Sequence, residues 1–382
     1  MEIHIFIFIF LLFSYSESKL PFVNMFLAKE DNNNSTRKVT YIYGHLNPDT
    51  DTIAASIVLA DLKARLEKDE NNELIPCRLG ELNKETTWVL KYFGVEAPKL
   101  IKDLKGADEV ILVDHNSPSQ SLDFDNANIV GLYDHHAITG FKTVNPITIL
   151  TKPVGSTCTI LFEKYIEKGK NITEKIAGLI LSAIISDTLL LESSTTTQAD
   201  REAVQYLAGY VGVNYKDYGR QMLAAGANVT DLTDYELINY DSKAYTVNGY
   251  KIQIANINTA EFSDILRRKE GLIEEIDKFI KEKNKELFVL VVVHIFDMDS
   301  KIISRGNLYD IVEKAFNVKL EDYEAFLKGI TSRKKDVYPR IAEQINLLPS
   351  KPENNENSEN SGNRINYNYI LTALYLCIYM LI

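Results

Sequence analysis

Apolar positions along this chain change period several times, and each change marks a predicted element. Residues 39–43 form a short β-branched and aromatic run that stops at Gly44, the pattern of a strand. Beyond a polar loop, Ile53, Ile57, Leu59, Leu62 and Leu66 fall at helical spacing and predict a helix over 53–66. Two further apolar runs, 109–113 and 128–133, each lead straight into an acidic, histidine-containing loop. Residues 153–164, 173–186 and 197–210 read as helices, with Thr197 as a cap. Alternating strands and helices predict an α/β half built on a parallel sheet.

The pattern then changes. Residues 226–234 are a polar connector. Next come 244–247 and 250–256, joined by Asn248-Gly249, the strongest short hairpin signal. Residues 261–283 are charged and helical, and 287–296 are dominated by Val, Leu and Ile before Asp297-Met298-Asp299-Ser300 turns the chain into 301–304. This second, smaller half reads as α+β with a mixed sheet. The expected domains are therefore 37–226 and 235–349, joined by a linker at 227–234, with a site in the cleft between them.

Both ends break the pattern. Residues 1–18 hold the apolar run Ile3 to Phe13 and then small polar residues, and read as a signal peptide although a basic leader is missing. A membrane anchor or a strand-like tail is the alternative. Residues 19–36 are a polar connector with glycosylation sequons at Asn33 and Asn34, and 350–366 are Asn-, Glu- and Ser-rich low complexity. The apolar tail 367–382 is short for a ~30 Å hydrocarbon core, which takes about 20 helical residues. After Ser361, Gly362 and a polar spacer it has the form of a lipid-anchor attachment signal, with a tail-anchoring helix as the alternative. With further sequons at Asn171 and Asn228, these ends predict the secretory pathway, cell surface or a vacuole-like compartment, and membrane attachment through the tail; the cytoplasm is the alternative.

Composition narrows the chemistry. Forty-two Lys and Arg against 53 Asp and Glu give a net charge of −11, which argues against a nucleic-acid partner. Three scattered cysteines are too few for a disulfide framework or a thiolate metal site. Any metal must be held by His, Asp and Glu.

Three successive strand ends carry such residues: Gly44-His45-Leu46-Asn47-Pro48-Asp49-Thr50-Asp51, Asp114-His115-Asn116 and Asp134-His135-His136. One of these would read as a helix cap or turn; three together do not, because parallel sheets bind ligands at the carboxyl ends of their strands. Asp187 ends the apolar run Leu181-Ser182-Ala183-Ile184-Ile185-Ser186, where a carboxylate is costly to bury unless paired or bound to a metal. Asp49, Asp51, Asp114 and Asp187 carry four negative charges, enough to neutralise two divalent ions. Mixed carboxylates and imidazoles suit Mn²⁺, Co²⁺ or Mg²⁺. A pair of such ions ~3.5–4 Å apart is a common engine of phosphate ester and anhydride hydrolysis. Ser332-Arg333-Lys334-Lys335 adds a cationic cluster in the second half. These residues read as a two-metal phosphohydrolase with a cationic second domain.

Asp134-His135-His136 resembles the signature of the DHH phosphoesterase superfamily. Gly-His-Leu-Asn-Pro-Asp-Thr-Asp-Thr together with Ser-Arg-Lys-Lys resembles the family II, manganese-dependent inorganic pyrophosphatases. The resemblance spans 38–348 and includes Val154-Gly155-Ser156-Thr157 and the run ending Ser186-Asp187-Thr188. It implies pyrophosphate as substrate, hydrolysed by in-line attack of a metal-bridging hydroxide. It also implies two Mn²⁺ or Co²⁺ ions, with Mg²⁺ accompanying the substrate. One ion would be held by His45, Asp49, Asp114 and Asp187, the other by Asp51, Asp114, His135 and Asp187. His136 would touch phosphate and protonate the leaving group; Lys243, Arg333 and Lys334 would bind phosphate; His115 would support the ligands from behind. Asp336-Val337-Tyr338 departs from the family pattern, where Gln and smaller residues are expected. An exopolyphosphatase of the same superfamily is the main alternative, and a DHH nuclease or oligonucleotide phosphodiesterase a lesser one. Whether the chain forms a homodimer stays open.

Overall fold

In a computed structural model, the protein is described over residues 37–69, 71–123 and 127–351. The expected signal peptide, connector, sequons at Asn33 and Asn34, and C-terminal tail lie outside those residues. The first half is a six-stranded sheet, all parallel: β1 (Lys38–Tyr43), β2 (Asn72–Arg78), β3 (Lys99–Leu100), β4 (Glu109–Val113), β5 (Ile129–Asp134) and β6 (Thr148–Thr151). Among the described residues six α-helices accompany it: α1 (Thr50–Glu67), α2 (Lys84–Phe93), α3 (Thr157–Glu167), α4 (Glu174–Asp187), α5 (Gln198–Val211) and α6 (Tyr215–Gly226). Side chains alternate across the strands. Ile42, Ile111 and Val113 face a core shared with the apolar runs of α1, α3, α4 and α5, whereas Tyr41, Tyr43 and Leu112 face the opposite side.

The strand order is β3-β2-β1-β4-β5-β6. Chain progression therefore reverses between β1 and β4, and at such a switch point two successive loops diverge and leave a crevice beyond the strand ends. Hydrophobic period alone predicted β1, β4 and β5 but not their adjacency.

The second half carries the mixed sheet β11-β10-β9-β8-β7, made of β7 (Ser242–Val247), β8 (Tyr250–Thr259), β9 (Leu287–His294), β10 (Asp299–Arg305) and β11 (Glu324–Leu327). Only β8 and β9 pair in parallel; β9 is buried along its whole length, as its unbroken apolar run requires. The α-helices here are α7 (Asp234–Asn239), α8 (Phe262–Leu266), α9 (Lys269–Glu282), α10 (Asp310–Phe316) and α11 (Tyr338–Asn346), the last preceded by a short π-helical turn, Arg333–Val337. The single helix expected over 261–283 is thus two, and the helix expected from 153 begins only at Thr157. No helix among the described residues is long and apolar enough to cross a membrane.

Candidate active site

The loops after β1, β4 and β5 open side by side at the switch point. Asp49 caps α1: one carboxylate oxygen accepts the Thr52 N–H at 2.9 Å, and the other stands 3.3 Å from His45 Nε2. Asp114 follows β4 in a left-handed conformation, φ +58°, which costs a non-glycine residue on the order of 1–3 kcal/mol. That turn aims its buried carboxylate between two histidines. Oδ2 accepts the Thr52 hydroxyl at 2.7 Å and lies 3.5 Å from His45 Nε2; Oδ1 accepts the Thr157 hydroxyl at 3.1 Å and lies 3.4 Å from His135 Nε2.

Asp51, fully buried, meets the N-terminus of α3. It accepts the Ser156 hydroxyl at 2.8 Å, the Thr157 N–H at 2.7 Å and the Cys158 N–H at 3.0 Å. A helix N-terminus favours an anion there. Three of about four lone-pair positions are used, leaving one for another partner. The helix starts here because Ser156 caps it, its hydroxyl oxygen accepting the Cys158 N–H at 3.1 Å, and Asp51 takes the same first amides from outside. Asp187 ends α4 with an oxygen 3.8 Å from His135 Nε2. His135 Nδ1 lies 3.0 Å from the Val154 carbonyl, so that nitrogen donates there; Nε2 faces the carboxylates, donating to them while the ring is protonated and offering its lone pair to a metal once it is not.

Asp51, Asp114, His135 and Asp187 thus form one group of metal-type side chains, and His45, Asp49 and Asp114 form a second, each with ligand atoms within 4.8 Å of one another. Asp114 belongs to both, and also to a third group with His135 and His136. Carboxylate and imidazole donors at this density fit hard to borderline divalent ions. His136 is half-exposed; its Nδ1 lies 2.9 Å from Asp134, which Asn116 holds in turn at 2.6 Å. Burial opposes ionisation of Asp134, but the hydrogen bonds from His136 outweigh it and keep its carboxyl low. His115 is buried, with Nδ1 3.0 Å from the Val113 carbonyl, and belongs to none of the three groups. A cavity of about 800 Å³ opens in front of the cluster, bounded by Asp49, His136, Asp187 and the 193–197 loop.

The cations are elsewhere. Arg333 pairs with Asp241 at 2.7 Å, Lys243 lies 5.6 Å above the Tyr245 ring, and Lys334 is exposed. None of the three lines that cavity. Asp336, at the position where the sequence departs from the family pattern, accepts the N–H groups of Thr331 and Ser332 at 3.1 and 2.8 Å and so shapes the Ser-Arg-Lys-Lys turn. Sequence reasoning passed over Asp200. This buried carboxylate takes Gly155 N–H at 2.9 Å and the Thr159 hydroxyl at 2.5 Å, anchoring the loop that serves Asp51. Its only sequence signal is its place three residues after the cap Thr197.

Family models described as "DHH family, N-terminal domain" and "DHHA2 domain" match residues 39–184 and 220–344. A Bacillus licheniformis protein named "Probable manganese-dependent inorganic pyrophosphatase" is 44% identical over 306 residues, covering 80% of this chain and 98% of that protein. The chain belongs to the manganese-dependent inorganic pyrophosphatase family. A protein of the same name from Lactobacillus acidophilus is 42% identical over 310 residues, again 80% of this chain and 98% of its own. The crystal structure titled as a "putative family II inorganic pyrophosphatase" of Methanococcus jannaschii shares 39% identity at a TM-score of 0.51, over 80% of this chain and 99% of that one.

This corrects the reading of the ends as a signal peptide and a membrane anchor. Pyrophosphatase relatives are matched over nearly their whole length by about four-fifths of this chain, and no described helix can cross a membrane. An apolar run alone does not distinguish a targeting signal from any other sticky terminus. With those assignments goes the reason for preferring the secretory pathway to the cytoplasm.

Charges in this cluster also set a pH dependence. Burial opposes protonation of His45, but Asp114 and Asp49 outweigh it and push its pKa up to about 10; His135 is likewise pushed up to about 9, against burial, by Asp114 and Asp51. Burial, then the charge of Asp114, raises Asp51 to about 6, and burial with the Asp51 and Asp114 charges raises Asp187. The metal-free cluster therefore holds protons near neutral pH. The two histidines stabilise the metal-free fold fully below about pH 6.5, their ordinary value, and this contribution fades as pH rises through 9–10. Metal ligands must be deprotonated. Mn²⁺ binding at neutral pH should release protons and tighten as pH rises. Calorimetry in two buffers of different ionisation enthalpy reads the release directly; buffer-independent heats would contradict this charge assignment.

Proposed function

We propose that this enzyme hydrolyses inorganic pyrophosphate to two phosphates at a pair of divalent ions, Mn²⁺ or Co²⁺, with Mg²⁺ accompanying the substrate. The observation that carries the reading is the buried Asp114 carboxylate, shared between the two ligand groups and facing His45 on one side and His135 on the other. Such a pair of ions, when bound, would lower the pKa of a water to make it a nucleophile and would hold the attacked phosphoryl group.

The chain's own residues do the rest. His45, Asp49, Asp114 and Asp187 would hold one ion, and Asp51, Asp114, His135 and Asp187 the other. Asp134 fixes the His136 ring, leaving Nε2 free to donate a proton to the leaving phosphate. Lys243, Arg333 and Lys334 belong to the proposed domain 235–349. There Arg333 can grip phosphate oxygens in pairs while each lysine acts as a point charge. Because these cations lie off the metal cluster in this structure, substrate would draw them in by closure about 227–234, expelling bulk water.

The test is phosphate release from pyrophosphate and from tripolyphosphate, with Mn²⁺, Co²⁺ or Mg²⁺. Pyrophosphate should be the better substrate; faster release from tripolyphosphate would favour the exopolyphosphatase alternative. Exhaustive chelation should abolish turnover and Mn²⁺ should restore it, whereas full activity without added metal would refute the two-ion centre.

A further inference from the structure

We infer that Glu85 is a positioning residue for the metal centre, holding together the two helix ends that carry Asp49, Asp51 and Asp187. The inference rests on the reading of that cluster as a metal centre. Glu85 stands in the first turn of α2, whose cap is Asn83. Its Oε1 accepts the Thr50 hydroxyl at 2.6 Å and the Ser186 hydroxyl at 2.6 Å. Thr50 lies between Asp49 and Asp51 at the start of α1, and Ser186 immediately precedes Asp187 at the end of α4. One carboxylate oxygen therefore spans two elements that are 136 residues apart in the chain, by the numbers of Thr50 and Ser186. The Thr86 hydroxyl, one residue beyond Glu85, lies 3.0 Å from that of Thr50 and ties α2 to the same point.

The other side of Glu85 is walled by the end of α6. A Cβ on Gly226 would sit 3.0 Å from Glu85 Cβ and 3.2 Å from Oε2, so the absent side chain at Gly226 is what admits the carboxylate. Burial raises the Glu85 carboxyl, the Ser186 and Thr50 hydroxyls oppose the rise, and the Asp49 charge adds to it. An acid placed among acids is costly where the only return is packing. It has a use where helix ends must be held in register, because metal sites tolerate only about 0.5 Å of ligand displacement. Groups behind the ligands typically affect metal affinity by about 10–100-fold.

Equilibrium dialysis against Mn²⁺ alone, with unfolding of the metal-free protein as control, tests this. Glu85→Ala should weaken Mn²⁺ binding by about 10–100-fold. Glu85→Gln keeps an acceptor oxygen and should bind close to the unmodified protein, which also guards against a simple folding failure. Thr50→Val with Ser186→Ala should reproduce Glu85→Ala, and adding Glu85→Ala to that pair should cost little more. Unchanged Mn²⁺ affinity in Glu85→Ala, with only the unfolding midpoint lowered, would reduce the residue to a structural tie and overturn the inference. So would a Gln variant as weak as Ala, which would make charge rather than placement the operative property. Failure of the unmodified protein to bind Mn²⁺ would instead remove the metal-centre reading beneath it.

Discussion

Asp114→Ala is expected to cause the largest loss of activity of any single substitution in the cluster, and a larger loss than His45→Ala. Asp114 alone belongs to every group of metal-type side chains in the site, so its removal takes a ligand from both proposed ions, whereas His45 belongs to one. The substitution also leaves His45 and His135 without the carboxylate that sustains their raised pKa values, and deletes the acceptor for the Thr52 and Thr157 hydroxyls. The fall in kcat should exceed the ~10²–10³-fold typical of losing one charge-stabilising donor. Dialysis against Mn²⁺ should show both ions weakened. Equal losses in Asp114→Ala and His45→Ala, or retention of two tightly held ions without Asp114, would contradict the shared-ligand arrangement.

Lys334→Ala should lower kcat by about 10²–10³-fold while leaving Mn²⁺ affinity unchanged. Lys334 is exposed and lines no part of the cavity before the metal-type cluster, so under the proposed closure it would act only once substrate has brought the two halves together. Arg333 is held differently. Its guanidinium already pairs with Asp241, with Nε buried and unpartnered, so recruitment to phosphate must exchange one anion for another. Steady-state kinetics beside metal dialysis separates the possibilities. A Lys334→Ala enzyme with normal kcat, or one that loses its metal, would show that this lysine does not complete the site.

The sequence alone determined the α/β character of the first half, the mixed α+β character of the second and the metal-type side chains that the fold gathers around Asp114, though not the cations expected beside them. Those features are local: a strand of β-branched residues, a helix with its cap, an Asp and His at each strand end. Its reading failed mainly where locality is no guide. Apolar termini looked like targeting signals because a short hydrophobic run has no context of its own. The helix from 153 was drawn too early because the cap at Ser156 was passed over, a local signal; that Asp51 joins Ser156 at the amides of Thr157 and Cys158 is visible only in the fold. Tertiary structure alone decided that β1, β4 and β5 lie side by side despite β2 and β3 intervening in the chain, which is what brings His45, Asp114 and His135 within 3.5 Å contacts. It alone revealed Glu85 and Asp200, since a carboxylate two or three residues after a helix cap looks the same in sequence whether it faces water or clamps a neighbouring element. Hydrogen bonds between segments far apart in the chain depend on strand order and helix packing, and neither is written in the period of any one segment.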